Sequence, residues 1–361
     1  MRSRILASIA TLAVSAGASS WLTIPVSGQG SGATAPPIVV TAFGGEEPAY
    51  QVPRTPWGDP DLQGVWSSDD MEGVPMSRQA QFGDRLYMTD QEFAERLEEV
   101  AQGVDQSEND ATSTFRRDFA RRAFRQTSQI IDPPDGRQPA TLPGRDTMPR
   151  GTFGAGPLDW TTDFSLYERC ITRGIAGSVF RVIYGNGNRI VQAPGKVALS
   201  YEMLPQTRVF YTDGRPHVSS DITQLMGDSR ARWEGDVLVV ETTNLTDRTA
   251  VGVNGGGPRH STQMKITETF KRVANDVLQY QITFDDPLTY ERPFTLSMPL
   301  TPLEGGQLLP YDCHEGNYAI LQSLGGERAE DRMIEEDLVR GVIRPRRPIS
   351  DGLGVGGQPT D

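Results

Sequence analysis

Residues 263–285 read QMKITETFKRVANDVLQYQITFD, and this stretch decides the fold. Its first half alternates: Met264, Ile266, Glu268 and Phe270 fall on one face, and Gln263, Lys265, Thr267 and Thr269 on the other, because successive side chains of a strand point in opposite directions. After Asn275-Asp276 the alternation resumes, with Leu278, Tyr280, Ile282 and Phe284 set against Gln279, Gln281, Thr283 and Asp285. Two runs of period two divided by an Asn-Asp turn predict an antiparallel hairpin whose apolar faces line one interior.

The same pattern recurs on both sides of this hairpin. Strands are expected at Val179–Tyr184, Arg189–Ala193, Lys196–Met203, Thr207–Thr212, Val237–Thr243, Gln263–Arg272, Val277–Asp285 and Arg292–Met298, with turn signals at Asn186-Gly187 and Asp213-Gly214. Such spacing predicts a mainly β chain: an antiparallel meander forming a barrel or a strongly curled, lipocalin-like sheet, since closure removes the two exposed edges. Pro60-Asp61-Leu62-Gln63-Gly64-Val65-Trp66 has the Gly-x-Trp form that opens some small barrels, where the indole closes one end.

The N-terminal side reads as helix. Thr89-Asp90-Gln91-Glu92 is a capping box, and Phe93, Leu97 and Val100 follow at helical spacing as far as Gly103. A second helix is expected over Thr114–Arg125, and a short helix closes the C-terminal side. The layout is a signal peptide (1–35), an extended lead-in (36–63), a helical flank with an irregular segment (64–160), the β-domain with its terminal helix (161–345) and a tail (346–361).

The first residues explain the location. Arg2 and Arg4 precede an apolar run to about Val26, and Ala33-Thr34-Ala35 fits a small-x-small cleavage site, so the protein is expected to be periplasmic or secreted. Cleavage leaves roughly 325 residues, ample for a substantial core. The formal charge of −12, with a basic cluster only at Arg344–Arg347, makes nucleic acid and anionic membranes poor partners and leaves a small molecule as the expected one. Oligomeric state is not written in the sequence.

Chemistry concentrates in YDCHEGNY, Tyr311–Tyr318, which holds one of three histidines and one of two cysteines. In an exported chain, Cys170 and Cys313 are expected to form a disulfide; a nucleophilic Cys313 beside His314 is the competing reading. Glu268 sits on the apolar face of its strand, where burial raises a carboxyl's pKa and suits it to act as an acid, or where an arginine inside the barrel pairs with it. His217 follows the Asp213-Gly214-Arg215 turn, at a strand end, where it could project over a barrel mouth. The catalytic candidates are therefore His314, Glu268, His217 and Glu315, and the substrate-binding candidates are Arg169, Arg215, Tyr280 and Trp233. Glu241, near a strand end, reads as structural.

Several chemistries are set aside. No GxGxxG unit follows a strand, no GxxxxGK[ST] is present, and HxH, HExxH and CxxC are missing, so no cofactor or metal is expected. Gly227-Asp228-Ser229 has the look of an esterase motif, but it lies just before a hairpin and reads as a turn cap rather than a nucleophile.

The runs LQGVW at 62–66, DPPDGR at 132–137, ERC at 168–170, IVQAPG at 190–195, DGRPH at 213–217, the segment from GDS at 227–229 through RWEGDVLVVETTN at 232–244, and CHEGNY at 313–318 together resemble a largely uncharacterised family of exported bacterial proteins. The resemblance spans nearly all of the mature chain and implies export and the overall layout. One departure stands out: the family's histidine before a Glu-Arg-Phe is replaced here by Lys265, with Glu268-Thr269-Phe270 following.

With His314 as base, Glu268 as acid and arginines holding charge, the expected reaction is proton transfer on a bound, partly apolar small molecule, of lyase, hydratase, isomerase or cyclase type. A hydrolase with His-activated water and a periplasmic binding protein without catalysis are the alternatives.

Overall fold

The computed structural model describes residues 50–108, 120–145, 147–148 and 158–345. In chain order its main elements are β1 (Gly64–Ser67), α1 (Asp90–Glu108), β2 (Ile130–Asp132), β3 (Thr147–Met148), β4 (Gly187–Ala193), β5 (Lys196–Tyr201), β6 (Thr207–Tyr211), β7 (Asp228–Glu234), β8 (Val237–Thr243), β9 (Gly257–Pro258), β10 (Lys265–Ala274), β11 (Val277–Asp285), β12 (Phe294–Pro302) and α2 (Ala319–Val339). The expected signal peptide, the first half of the lead-in and the tail lie outside the described residues, as do residues 114–119 of the second expected helix. Residues 120–125 of that helix are irregular.

The decisive hairpin is β10 and β11, in register from Lys265 opposite Asp285 to Arg272 opposite Leu278. Around it the sheet runs β1-β4-β5-β6-β7-β8-β10-β11-β12 and closes by pairing β1 with β12, giving a nine-stranded barrel. β12 extends beyond β1, and β2 pairs with it there, with Leu296 opposite Ile130. β3 and β9 form a separate small pair.

Three sequence expectations change. The barrel has nine strands rather than eight, because Gly64–Ser67 and Asp228–Glu234 are strands while Val179–Tyr184 is not. Val179 and Phe180 instead lie buried in the main core with Ile175 and Ala176, so their apolar character reflects a buried turn rather than a wall position. The ladder is also not purely antiparallel: β6 and β7 run parallel at Tyr211 opposite Arg230, since the long 212–227 segment returns the chain before β7 begins.

The interior is filled by alternate residues of each strand. Phe210, Phe270 and Tyr280 stack in sequence, with centroid separations of 6.3 Å and 4.9 Å. Trp66 is buried and its Nε1 donates to the Leu62 carbonyl, which fixes the strand that seals the barrel. Outside, α1 begins at the capping box, where the Thr89 amide donates to Glu92 Oε2 at 2.8 Å. It buries Phe93 and Val100 against Ala120 and Ala123 in a second, smaller core.

Candidate functional site

Strand alternation sends Glu268 inward, and inside the barrel it meets Arg208 from β6. Arg208 Nη1 donates to Glu268 Oε1 at 2.9 Å and Nη2 to Oε2 at 2.6 Å, a two-pronged pair with both side chains buried. Tyr280 donates to Glu268 Oε1 at 2.9 Å, Nη1 of Arg208 also reaches the Tyr201 hydroxyl, and Nη2 reaches Ser229 and Thr242. Burial works against the Arg208 cation, yet the adjacent Glu268 carboxylate outweighs it and holds the guanidinium firmly protonated. Burial pushes the Tyr201 phenol up to about 12. The arginine-paired arrangement for Glu268 is thus the one the fold adopts. Glu268 and Tyr280 are sealed from solvent, and Ser229 of the Gly-Asp-Ser run is a member of this buried network.

His217 lies elsewhere, against the outer wall. Its Nδ1 is 2.7 Å from Asp228 Oδ2, and its Nε2 is 3.5 Å from Glu241 Oε1. Glu241 also pairs with Lys265, whose ammonium is the main reason that this carboxyl lies below its ordinary pKa. Asp228 in turn accepts from Arg230 at 2.7 Å. Arg215 is exposed, bound to Asp213 of its own turn and set 3.8 Å over the Tyr211 ring. Trp233 packs on the main core from a half-buried position.

The third expected location is the YDCHEGNY segment. Cys170 and Cys313 are bonded, with Cα atoms 5.7 Å apart. Asn317 Nδ2 donates to the Glu168 carbonyl at 3.0 Å and lies 3.4 Å from Cys170 Sγ, so the side chain that follows the motif's glycine clasps the bridge. Glu202 joins the segment to the barrel by accepting from the amides of Leu309 and Gly187, each at 3.0 Å. Beside the bridge is a cavity of about 290 Å³, bounded by Ile171, Leu204 and Pro205 on its apolar side and by Tyr311, His314 and Glu315 on its polar side. His314 and Glu315 are exposed at this position, and Arg169 is half-buried next to Cys170.

Hence the three expected partners do not meet: Glu268 is inside the barrel, His217 is on its wall, and His314 is at the disulfide. What stands next to His314 is a group of tyrosines. The Tyr311 hydroxyl is 3.5 Å from that of Tyr167, and Tyr184 lies close enough to interact with both. Near them Arg173 is wholly buried. Its Nε donates to Asn254 Oδ1 at 3.0 Å and its Nη2 to the Phe180 carbonyl at 3.3 Å, while Nη1 has no partner. No carboxylate pairs with this cation among the described residues; the ionisable groups around it are Tyr167, Tyr311 and Tyr184. Burial therefore lowers Arg173 to about 10, and burial followed by the Tyr167 hydroxyl pushes Tyr311 far above the ordinary phenol range.

Sequence reasoning overlooked this cluster because its members are far apart in the chain and none belongs to a spaced motif. One signal was present: Arg173 follows Cys170 by three residues, so the bridge that carries Tyr311 toward Cys170 also carries it toward Arg173. Comparison of the chain with models of protein families, with curated proteins and with solved structures finds no match.

Proposed function

We propose that the protein is an exported acid–base enzyme of lyase or isomerase type, acting on a small, partly apolar carbonyl compound in the cavity beside the Cys170–Cys313 bridge. One observation carries the reading: an exposed imidazole, His314, and a phenol that stays protonated, Tyr311, border the same cavity of about 290 Å³. His314 is suited to remove a proton from carbon next to the carbonyl. Tyr311 is suited to donate a hydrogen bond to the carbonyl oxygen as it gains negative charge, a role that needs a phenol with its proton in place. Ile171, Leu204 and Pro205 would hold the apolar part of the substrate.

Export is supported by the disulfide, which persists in oxidising compartments, and by the charged and apolar N-terminal sequence. Glu268 has no chemical role in this scheme, because Arg208 and Tyr280 occupy it.

The test does not require the natural substrate. The protein is incubated in D2O with a panel of small aryl ketones and unsaturated acids, and exchange at carbon is followed by NMR. The expected result is exchange by the natural chain and a loss of roughly 100-fold or more in His314→Ala, with thermal stability unchanged. Ligands that raise the melting temperature without any exchange would replace this reading with a binding protein. Release of acid from small esters would replace it with a hydrolase that uses His314 to activate water.

A further inference from the structure

Arg173 presents an unbalanced account of charge. A guanidinium withdrawn from water is costly unless an anion or a full set of acceptors compensates it. This one is completely buried and, among the described residues, has two hydrogen-bond acceptors and leaves Nη1 unpartnered. Its backbone is closely enclosed as well: a Cβ at Gly177 would lie 2.2 Å from the Arg173 carbonyl oxygen, and one at Gly255 would lie 3.0 Å from it. Asn254 adopts a positive φ of 55°, and its side chain accepts from Nε. The chain thus accepts close glycine packing and an uncommon backbone conformation around a charge that no carboxylate among the described residues neutralises.

The hydroxyls in front of Arg173 are also incompletely used. Tyr167 and Tyr311 are 3.5 Å apart, at the long limit of a hydrogen bond, so neither satisfies the other well. Each of the three tyrosines is only half-buried, and Tyr311 borders the cavity beside the disulfide. Two neutral hydroxyls joined by one contact use only one of their protons, so the other is left to donate outward. An incoming anionic oxygen would receive that proton's hydrogen bond and would lie in the field of the buried cation, where the low dielectric strengthens the attraction.

We propose that Tyr167, Tyr184 and Tyr311, backed by Arg173, form an oxyanion site that takes the carboxylate of a small organic acid, with its apolar body against Ile171, Leu204 and Pro205. The proposal rests on the cavity beside the disulfide being the working site, but it concerns binding and does not need turnover. Arg173 touches no ligand in this scheme; it is a positioning residue that acts through the hydroxyls. Selection of an acid over its neutral counterpart follows, because only the acid compensates the buried charge.

The test uses a matched pair of probes, benzoate and benzamide, which share one ring and differ in charge. Binding to the full chain is measured by calorimetry at constant ionic strength. The expected result is that benzoate binds and benzamide binds at least about tenfold more weakly. Tyr184→Phe and Tyr311→Phe, which keep the rings and hence the packing, should each weaken benzoate by about tenfold and leave benzamide unchanged. Arg173→Met should abolish the preference for the acid; if that variant does not fold, the two phenylalanine variants decide. Equal binding of both probes, binding of neither, or benzoate binding that survives both phenylalanine variants overturns the proposal. Acid selectivity without carbon exchange would leave the oxyanion site standing and remove the enzymatic reading, so the two failures are distinct.

Discussion

Arg208 and Glu268 face each other across the barrel interior through two hydrogen bonds of 2.9 Å and 2.6 Å, with 4% and 0% of their side chains exposed. The pair does not make the barrel more stable than an apolar filling would, because both ions lose hydration; it does make each partner indispensable to the other. Glu268→Gln should therefore destabilise the protein by about 3–5 kcal/mol by leaving a buried guanidinium uncompensated. The joint replacement Arg208→Met with Glu268→Leu should recover most of that loss. Urea denaturation of the three chains checks this, and an additive double variant would show that the pair does not act as a unit.

His260 makes stability depend on pH. Its Nδ1–H donates to the Ser261 carbonyl at 3.1 Å and its Nε2 accepts from the Thr249 hydroxyl at 2.5 Å, so the neutral ring satisfies both partners. Burial lowers its pKa below the ordinary 6.5. The unfolded chain consequently binds the proton more readily than the folded one. Stability from this residue is complete above about pH 6.5, falls as pH drops below that value, and levels off below the folded pKa. The urea midpoint should decline between pH 7.5 and 5, and His260→Gln should flatten that part of the profile. An unchanged slope in the variant would assign the acid sensitivity to other groups.

The strands were legible wherever one face is wet and one is dry. Residues 263–285 read correctly down to the inward position of Glu268, because period-two alternation is imposed directly by the pleat. Asp228–Glu234 was hidden for the opposite reason. Its inner face begins with the small Ser229 and Ala231 and reaches a large apolar group only at Trp233, since the space at Ser229 belongs to Arg208, and its Gly-Asp-Ser start reads as a turn. Val179–Tyr184 failed because a short apolar run looks the same in a strand and in a buried turn. The disulfide followed from two cysteines in a chain whose N-terminal sequence reads as an export signal. The tyrosine cluster did not, because a site assembled from distant residues leaves no spacing to recognise.

Gly227 sits at the corner that begins β7. Its φ is +61°, and a Cβ there would lie 2.5 Å from the Thr243 carbonyl oxygen and 2.7 Å from Thr242 Cγ2. An L side chain meets both a disfavoured backbone conformation and a fixed strand. Gly227→Ala should cost about 1–3 kcal/mol, visible as a lower urea midpoint at constant m. It should also disturb the neighbouring Asp228, and with it the hydrogen bond to His217. Retention of full stability would mean that the corner relaxes without affecting β8.

The bridge between Cys170 and Cys313 closes a sequence separation of 143 residues and holds the one segment in which His314 and Tyr311 lie together. In the chain-entropy view a loop of that size contributes on the order of 4–5 kcal/mol by restricting the unfolded chain. Cys170→Ser combined with Cys313→Ser should therefore lower the melting temperature markedly, and reductant should do the same to the natural chain. The effect should extend beyond stability. Asn317 clasps the bridge through the Glu168 carbonyl, so loss of the bond leaves Leu309 with Glu202 as the nearer anchor of the segment. At temperatures where the reduced protein is still folded, hydrogen exchange should rise at residues 311–317 while β10 and β11 remain protected. A uniform rise across the barrel would show instead that the bridge stabilises the whole fold and does not position the cavity.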